Sequence, residues 1–358
     1  MLNVTKTYLP CKEKYKRYID TIYENGWLTN GGPLVKKLEQ RLKDYLGVKN
    51  VVLVANGTVA LEIAYRALNI TGYAITTPFS FVATTSSLVT NGIKPIFCDI
   101  DKDSFNIDAS KIEASITPNT SAIVPVHVFG NPCDVEIIDA IAKHHKLKVV
   151  YDAAHAFDVQ FKERSVLNYG DISTLSFHAT KLFHSIEGGA LIFNDDKLAE
   201  RIRYLINFGI KDKENIPELG TNAKMNEFEA AMGLCVLDDI TEIKSARKKV
   251  HDQYCTGLSG LLILQEKCPE SNINYSYFPV VFESEAQLLK VESALNKQQI
   301  FPRRYFYPSL DTLHYIEPKQ TCAISRDISK RILCLPIFHG LESDIVQTII
   351  DIIKLELS

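Results

Sequence analysis

No stretch of this chain approaches the roughly 18 consecutive apolar residues that a membrane-spanning helix requires. Its start, MLNVTKTYLPCKEKYKRYID, has neither an apolar core nor a small-residue cleavage pattern, so no signal peptide is expected. An excess of charge of one sign is also lacking. The 40 Lys and Arg stand against 43 Asp and Glu, a formal net charge of -3. That balance gives no whole-chain attraction to nucleic acid or to an anionic lipid surface. The eight cysteines (Cys11, Cys98, Cys133, Cys235, Cys255, Cys268, Cys322 and Cys334) form no CxxC pair, and Cys98 sits inside an apolar run. Neither a disulfide framework nor a zinc site is expected, and a reduced, cytoplasmic protein is the simplest reading. There is no internal repeat and no low-complexity tract. What the chain does have is 358 residues, 46% of them hydrophobic, enough for one large domain and a smaller one.

Between about residues 50 and 195, short apolar runs alternate with helical patterns. The runs are VVLVA (51–55), YAITT (73–77), KPIFCDI (94–100), SAIVPVHV (121–128), LKVVYDAA (147–154), STLSF (173–177) and GALIFND (189–195). Helical patterns fall between several of them, including ALEIAYRAL and DVEIIDAIAKHH, and KIEASI reads as a short helix. Strands alternating with helices of this length predict βαβ units and a mainly parallel sheet, an α/β fold. Ligands in such sheets gather at the carboxyl ends of the strands. A helical section follows over roughly 196–259, with a polar, Gly-containing loop at 209–222. YSYFPVVF (275–282), the helix EAQLLKVESALNKQ, IFPRRYFY (300–307) and a last amphipathic helix after His339 then suggest a smaller α+β domain. The expected division is 15–240 and 241–358, with residues 1–14 packed near the second part.

Three places carry chemistry. Asn56-Gly57-Thr58 ends one buried run and opens a helix, where free N–H groups and the helix dipole suit a phosphate; the plain alternative is a capped turn. Asp152, in YDAAHAF, ends a strand and can hold a pyridinium nitrogen protonated, although strand-end Asp residues are more often caps. His155, three residues on, can hydrogen-bond the same ring. SFHATKLFHSIEGGALIF (176–193) puts Lys181 in a loop between strands, followed by Gly188-Gly189. A partly buried lysine has a depressed pKa and forms a Schiff base with an aldehyde, and the diglycine lets backbone pass close to a planar group. Two decoys stand beside these. Asp99, Asp101 and Asp103 alternate like a metal-binding DxD motif, but they follow a strand in a turn. His127 in VPVHVFG is expected to be structural or site-lining.

The ordered set NGWLTNGGPLVKKLE, ANGTVALEIAYRAL, TTPFSFVATTSSLVTNGIKPIFCDID, VPVHVFGNPCD, YDAAHAF and SFHATKLFHSIEGGA, resumed at PRRYFYPSL and CLPIF, resembles the DegT/DnrJ/EryC1/StrS family of fold-type I pyridoxal-phosphate (PLP) enzymes. The resemblance implies an aminotransferase acting on a nucleotide-linked keto sugar, with glutamate as donor. The Phe-His-Ala-Thr-Lys context is similar to the branch that makes dTDP-4-amino-4,6-dideoxyglucose, for surface polysaccharides such as the O-antigen of lipopolysaccharide. It further implies that Lys181 binds the cofactor covalently and that Asp152 pairs with the ring nitrogen. His155 stands where many relatives carry Gln. Phe81 stacks on the ring, and Gly57, Thr58 and Ser176 hold the phosphate. Asn226 reaches the phosphate from the partner subunit of a homodimer, and Thr29, His178, Arg303, Arg304, Tyr305 and Tyr307 are substrate-side residues. Three rivals remain: a dehydratase branch, which carries His in place of the lysine; a C3-specific aminotransferase; and a non-catalytic PLP-binding regulator.

Overall fold

A computed structural model describes residues 1–358. Seven strands build the central sheet: β1 (Asn50–Val54), β2 (Tyr73–Thr76), β3 (Lys94–Phe97), β4 (Thr120–Val124), β5 (Lys148–Asp152), β6 (Ile172–Ser176) and β7 (Gly189–Phe193). Their order across the sheet is β1-β7-β6-β5-β4-β2-β3. Only β7 runs against the rest, paired antiparallel to β1 and β6. The strands read as continuous apolar runs because both faces are covered. Val51 and Leu53 of β1 face one packed layer, while Val52 and Val54 face the other. The first layer holds α2 (Pro33–Leu46), α5 (Val135–His145) and α7 (Glu227–Asp238), following α1 (Lys12–Asn25). The second holds α3 (Gly57–Ala67) and α6 (Asp196–Leu205). Between β2 and β3 runs α4 (Val82–Thr90).

Several predicted strands overrun the observed ones, and chain chemistry explains the clearest case. SAIVPVHV reads as a strand to residue 128, but β4 stops at Val124. Pro125 has no N–H to give to a ladder, and beyond it only a single bridge joins Val126 to Asp152.

The long α8 (Ile240–Leu258) leads into a three-stranded antiparallel sheet of Ile263–Leu264, Pro279–Val281 and Ile332–Cys334. Around it pack α8, α9 (Glu285–Lys297) and α11 (Ser343–Leu357), whose apolar faces share one core. The helix α10 (Ala323–Arg331), which the sequence reading does not mark, precedes the last strand of that sheet. Leu2–Asn3 pairs in parallel with Ile300–Phe301, fixing the N-terminus beside this region. No helix is long and apolar enough to cross a membrane, and all eight cysteines are unpaired.

Candidate active site

The carboxyl ends of β1, β5 and β6 open into a cavity of about 620 Å³. At the end of β1, Asn56 accepts a hydrogen bond from the Val59 N–H at 2.9 Å and so caps α3. The cap leaves the Gly57 and Thr58 N–H groups, at the positive end of the helix, without partners in the chain. Gly57 is needed here for room. A Cβ on it would meet the Ser176 Cβ at 2.8 Å and its Oγ at 3.2 Å. The start of α3 and the end of β6 thus close on one cradle of anion donors: two N–H groups and the hydroxyls of Thr58 and Ser176.

Asp152 ends β5 and is buried. Its Oδ2 accepts from the Thr84 hydroxyl at 2.7 Å, and its Oδ1 accepts from the Ala154 N–H at 3.1 Å. Burial raises its carboxyl above the ordinary value, against the lowering effect of these bonds. A desolvated carboxylate of this kind is a receptor for a cationic N–H. His155 accepts the Phe129 N–H at Nδ1, 3.2 Å away. Burial holds this imidazole well below its usual range, so it is neutral and carries its proton on Nε2. It is therefore a donor on the cavity wall, the same service a Gln amide would give.

Lys181 lies in the loop between β6 and β7. Its amine donates to the Tyr277 hydroxyl at 3.3 Å, and burial lowers its proton affinity. Phe81, half-exposed at the start of α4, lines the same cavity, as do His178, Arg303 and Tyr305. His178 accepts the Thr180 N–H at Nδ1 at 3.3 Å, and its Nε2 lies 3.5 Å from Glu187.

Four residues expected at the site lie outside this cavity. Arg304 donates to Glu285 at 2.7 Å and to the Lys330 carbonyl at 2.8 Å, with its guanidinium 3.8 Å from the Tyr307 ring. Arg303 faces the cavity, while Arg304 and Tyr307 pack on each other across a turn in which the Tyr307 N–H donates to the Arg304 carbonyl at 3.2 Å. Thr29 and Asn226 also lie apart from it, but close to each other: the Glu227 N–H donates to the Leu28 carbonyl at 3.0 Å. Asn226 caps α7 through Oδ1, which accepts the Glu229 N–H at 3.0 Å, and the cap does not use its Nδ2 donors.

The diglycine has another purpose than the one expected. It does not line the cavity. A Cβ on Gly189 would meet Asn56 backbone at 2.6 Å, and one on Gly188, with φ 154°, would meet Ser185 and Met225. The pair lets β7 start against the β1–α3 junction. His127 is structural: its ring stacks on Tyr151 at 4.6 Å and its Nδ1 accepts the Cys133 N–H at 3.1 Å. Asp99 accepts the Ile324 and Ser325 N–H groups at 2.9 Å, and Asp101 accepts from Ser104 at 2.8 Å, so these carboxylates cap backbone.

Residues missing from the sequence reading are Thr84, which orients Asp152; Tyr277; and Asn3, Val4 and Thr5, which line the cavity beside Phe301 and Phe306. Only for Thr84 was there a local signal, its place in the first turn of the helix after a strand end.

Residues 11–354 match the DegT/DnrJ/EryC1/StrS aminotransferase family. The chain belongs to that family. It is 44% identical over 358 residues to a dTDP-4-amino-4,6-dideoxy-D-glucose transaminase of Shigella dysenteriae, covering 98% of each chain. With a transaminase of the same description from Escherichia coli the identity is 40% over 357 residues, covering 97% of this chain and 96% of the other. The fold matches DesI, solved in the presence of its TDP-sugar product, with a TM-score of 0.94 and 33% identity over 99% of this chain and 93% of that one. The family's cofactor is pyridoxal phosphate, and the residues fit it. The cavity offers an anion cradle that a side chain on Gly57 would fill, a buried carboxylate for a ring nitrogen, a neutral imidazole donor and a lysine amine with lowered proton affinity.

Proposed function

We propose that this enzyme transfers the amino group of glutamate to C4 of a nucleotide-linked 4-keto-6-deoxy sugar, dTDP-4-keto-6-deoxyglucose, giving the 4-amino-4,6-dideoxy sugar. The observation that carries the reading is the convergence of the Lys181 amine, the Asp152 carboxylate and the Gly57–Thr58–Ser176 cradle on one cavity. The descriptions of the Shigella dysenteriae and Escherichia coli relatives support C4 over C3.

Pyridoxal phosphate, when bound, supplies an aldehyde that captures amines and a ring that spreads the electron pair left on carbon. Gly57, Thr58 and Ser176 would hold its phosphate, Asp152 would keep a proton on its ring nitrogen, and His155 Nε2 would donate to its ring hydroxyl. Phe81 covers one face. Lys181, freed when the amino donor binds, takes the proton from the donor's α-carbon at Nζ. In the second half of the cycle the same amine delivers a proton to C4 of the sugar. Only the neutral amine can take a proton, and burial of Lys181 favours that form; the ammonium so formed is what gives the proton up. Arg303, Tyr305 and His178 receive the sugar nucleotide on the outer wall.

The reading includes a cytoplasmic homodimer with shared sites, feeding the synthesis of surface polysaccharide such as O-antigen. Its support is the position of Thr29 and Asn226. Both match site residues, both lie outside their own chain's cavity, and they adjoin the exposed Trp27 and Leu28. Such a patch is what a second copy would cover while sending Asn226 Nδ2 into the neighbouring cradle. The test of function is to supply glutamate and a panel of nucleotide-linked keto sugars and to identify the product by NMR. A 4-amino product is expected; a 3-amino product, or turnover of C3-keto sugars alone, would refute the assignment.

A further inference from the structure

Tyr277 comes from the segment between α8 and the Pro279–Val281 strand, far in sequence from the lysine loop, yet its hydroxyl is the partner of the Lys181 amine at 3.3 Å. The ring is wedged among aromatics. It lies 4.5 Å from the His155 ring, 5.4 Å from Phe129 and 5.8 Å from Tyr305, which it meets edge-on at 88°. The backbone leading to it is braced from two sides. Asn274 donates to the His155 carbonyl at 2.8 Å and to the Phe157 carbonyl at 2.9 Å, and it accepts the Ser276 N–H at 3.1 Å. Arg247, buried on α8, donates to the Ser276 carbonyl at 3.1 Å and to the Tyr275 carbonyl at 3.4 Å. A buried guanidinium spent on carbonyls, not on a carboxylate, is an expensive anchor, and what it anchors is the segment that presents Tyr277.

The geometry points to Tyr277 as the residue that holds the Lys181 amine at its station whenever that lysine is not joined to the cofactor, a role that rests on Lys181 being the cofactor lysine. A released lysine has a flexible four-carbon stem, and free rotation would carry its nitrogen away from the carbon it must serve. Donation of one N–H to the phenol oxygen fixes the nitrogen and leaves its lone pair free to accept a proton. The acceptor must itself be neutral, because an anion would stabilise the ammonium form. Burial keeps the phenol protonated by pushing it far above its ordinary range. Tyr277 thus supplies position without supplying charge.

Tyr277→Phe removes one oxygen and keeps the ring. The direct readout is the cofactor-free protein mixed with pyridoxal phosphate. Binding is followed by a first-order phase in which the Lys181 amine adds to the aldehyde with loss of one water, visible by absorbance. That phase should slow about fivefold to tenfold in Tyr277→Phe, the cost of losing one neutral hydrogen bond. In turnover, kcat should fall by about the same factor with little change in KM for either substrate. A condensation rate and a kcat both within about twofold of the native values would overturn the proposal. If Tyr277→Phe also lowers the melting temperature, 3-fluorotyrosine placed at 277 keeps the packing and weakens the acceptor. A smaller slowing in the same direction is then expected, and an unchanged rate again rejects the role. Lys181→Ala separates the two assignments. It should show no condensation phase, and a persisting phase would remove Lys181, and with it the premise, whatever Tyr277 does.

Discussion

On the floor of the cavity, Asn56, Gly57, Asp152 and Ser176 all lie at or just beyond strand ends of one sheet, each in place once β7 joins β1 to the β6–β5 pair. The outer wall is assembled differently. Asn3–Thr5, Tyr277, Phe301, Pro302, Arg303, Tyr305 and Phe306 come from segments brought together by the three-stranded sheet and the N-terminal pairing. The floor offers an anion cradle and a buried carboxylate, groups suited to a fixed cofactor. The wall offers Arg303, Tyr305 and aromatic surface, groups suited to an exchangeable nucleotide sugar. On the proposed function, reaction type resides in the sheet, while choice of acceptor resides in segments distant from it in sequence.

Floor substitutions should damage chemistry for every acceptor. Lys181→Ala heads the scale. Turnover should fall by about three orders of magnitude or more with the fold intact by circular dichroism, and Lys181→Arg should fare no better, since a guanidinium stays protonated. Asp152→Asn comes next, with kcat lower by about 10²-fold or more and only modest loss of cofactor, because a neutral amide cannot keep the ring nitrogen protonated. His155→Gln should remain within about threefold of native, since both side chains donate one N–H. Equal damage from His155→Gln and Asp152→Asn would give His155 a part in proton transfer and break the division drawn for the floor.

Among the wall residues, Tyr277 is tied to the Lys181 amine; a substitution elsewhere on the wall should spare the glutamate half of the cycle. Arg303→Ala should raise KM for the sugar nucleotide about tenfold, by loss of a charge-assisted contact, while single-turnover reaction with glutamate stays normal. Arg304→Ala should leave both halves unchanged, because Arg304 is engaged with Glu285 away from the cavity. If the two variants behave alike, the sharp separation of these neighbours is wrong.

The floor was legible in the sequence because its residues sit at the ends of apolar runs, where local pattern and chemistry coincide. The strand boundaries single out Lys181, Asp152 and Gly57 as candidates, and the family resemblance, not the local pattern, supplies their roles. Tyr277 was not legible: in YSYFPVVF it looks like any aromatic residue entering a strand, and its bond to Lys181 spans 96 positions. Nor could sequence separate Arg303 from Arg304, because the facing of this turn-containing segment depends on what it packs against, here Cys334 and Glu285. The sequence locates the diglycine but not its purpose. Its reason is contact with Asn56 backbone, which is visible only once β7 is known to run against β1.

A further expected effect, on stability and not on turnover, lies beneath the floor. Burial depresses His127 from its ordinary 6.5 to about 3. The folded state therefore binds fewer protons than the unfolded chain between those values. The stability associated with neutral His127 is complete above pH 6.5 and is lost progressively as pH falls toward 3. Between pH 7 and pH 5 the loss is about 2 kcal/mol. His127→Asn, which keeps an acceptor for the Cys133 N–H, should flatten this part of the stability profile in denaturant melts while leaving turnover at neutral pH near native.

The most direct test of the account is chemical trapping. The loaded enzyme is reduced with borohydride, digested, and its peptides are searched by mass for the bound pyridoxyl group. The account predicts that the group is found on Lys181, and that prior exposure to glutamate abolishes the labelling by releasing that amine. Labelling of another lysine, or of none in a protein that turns over, would contradict it.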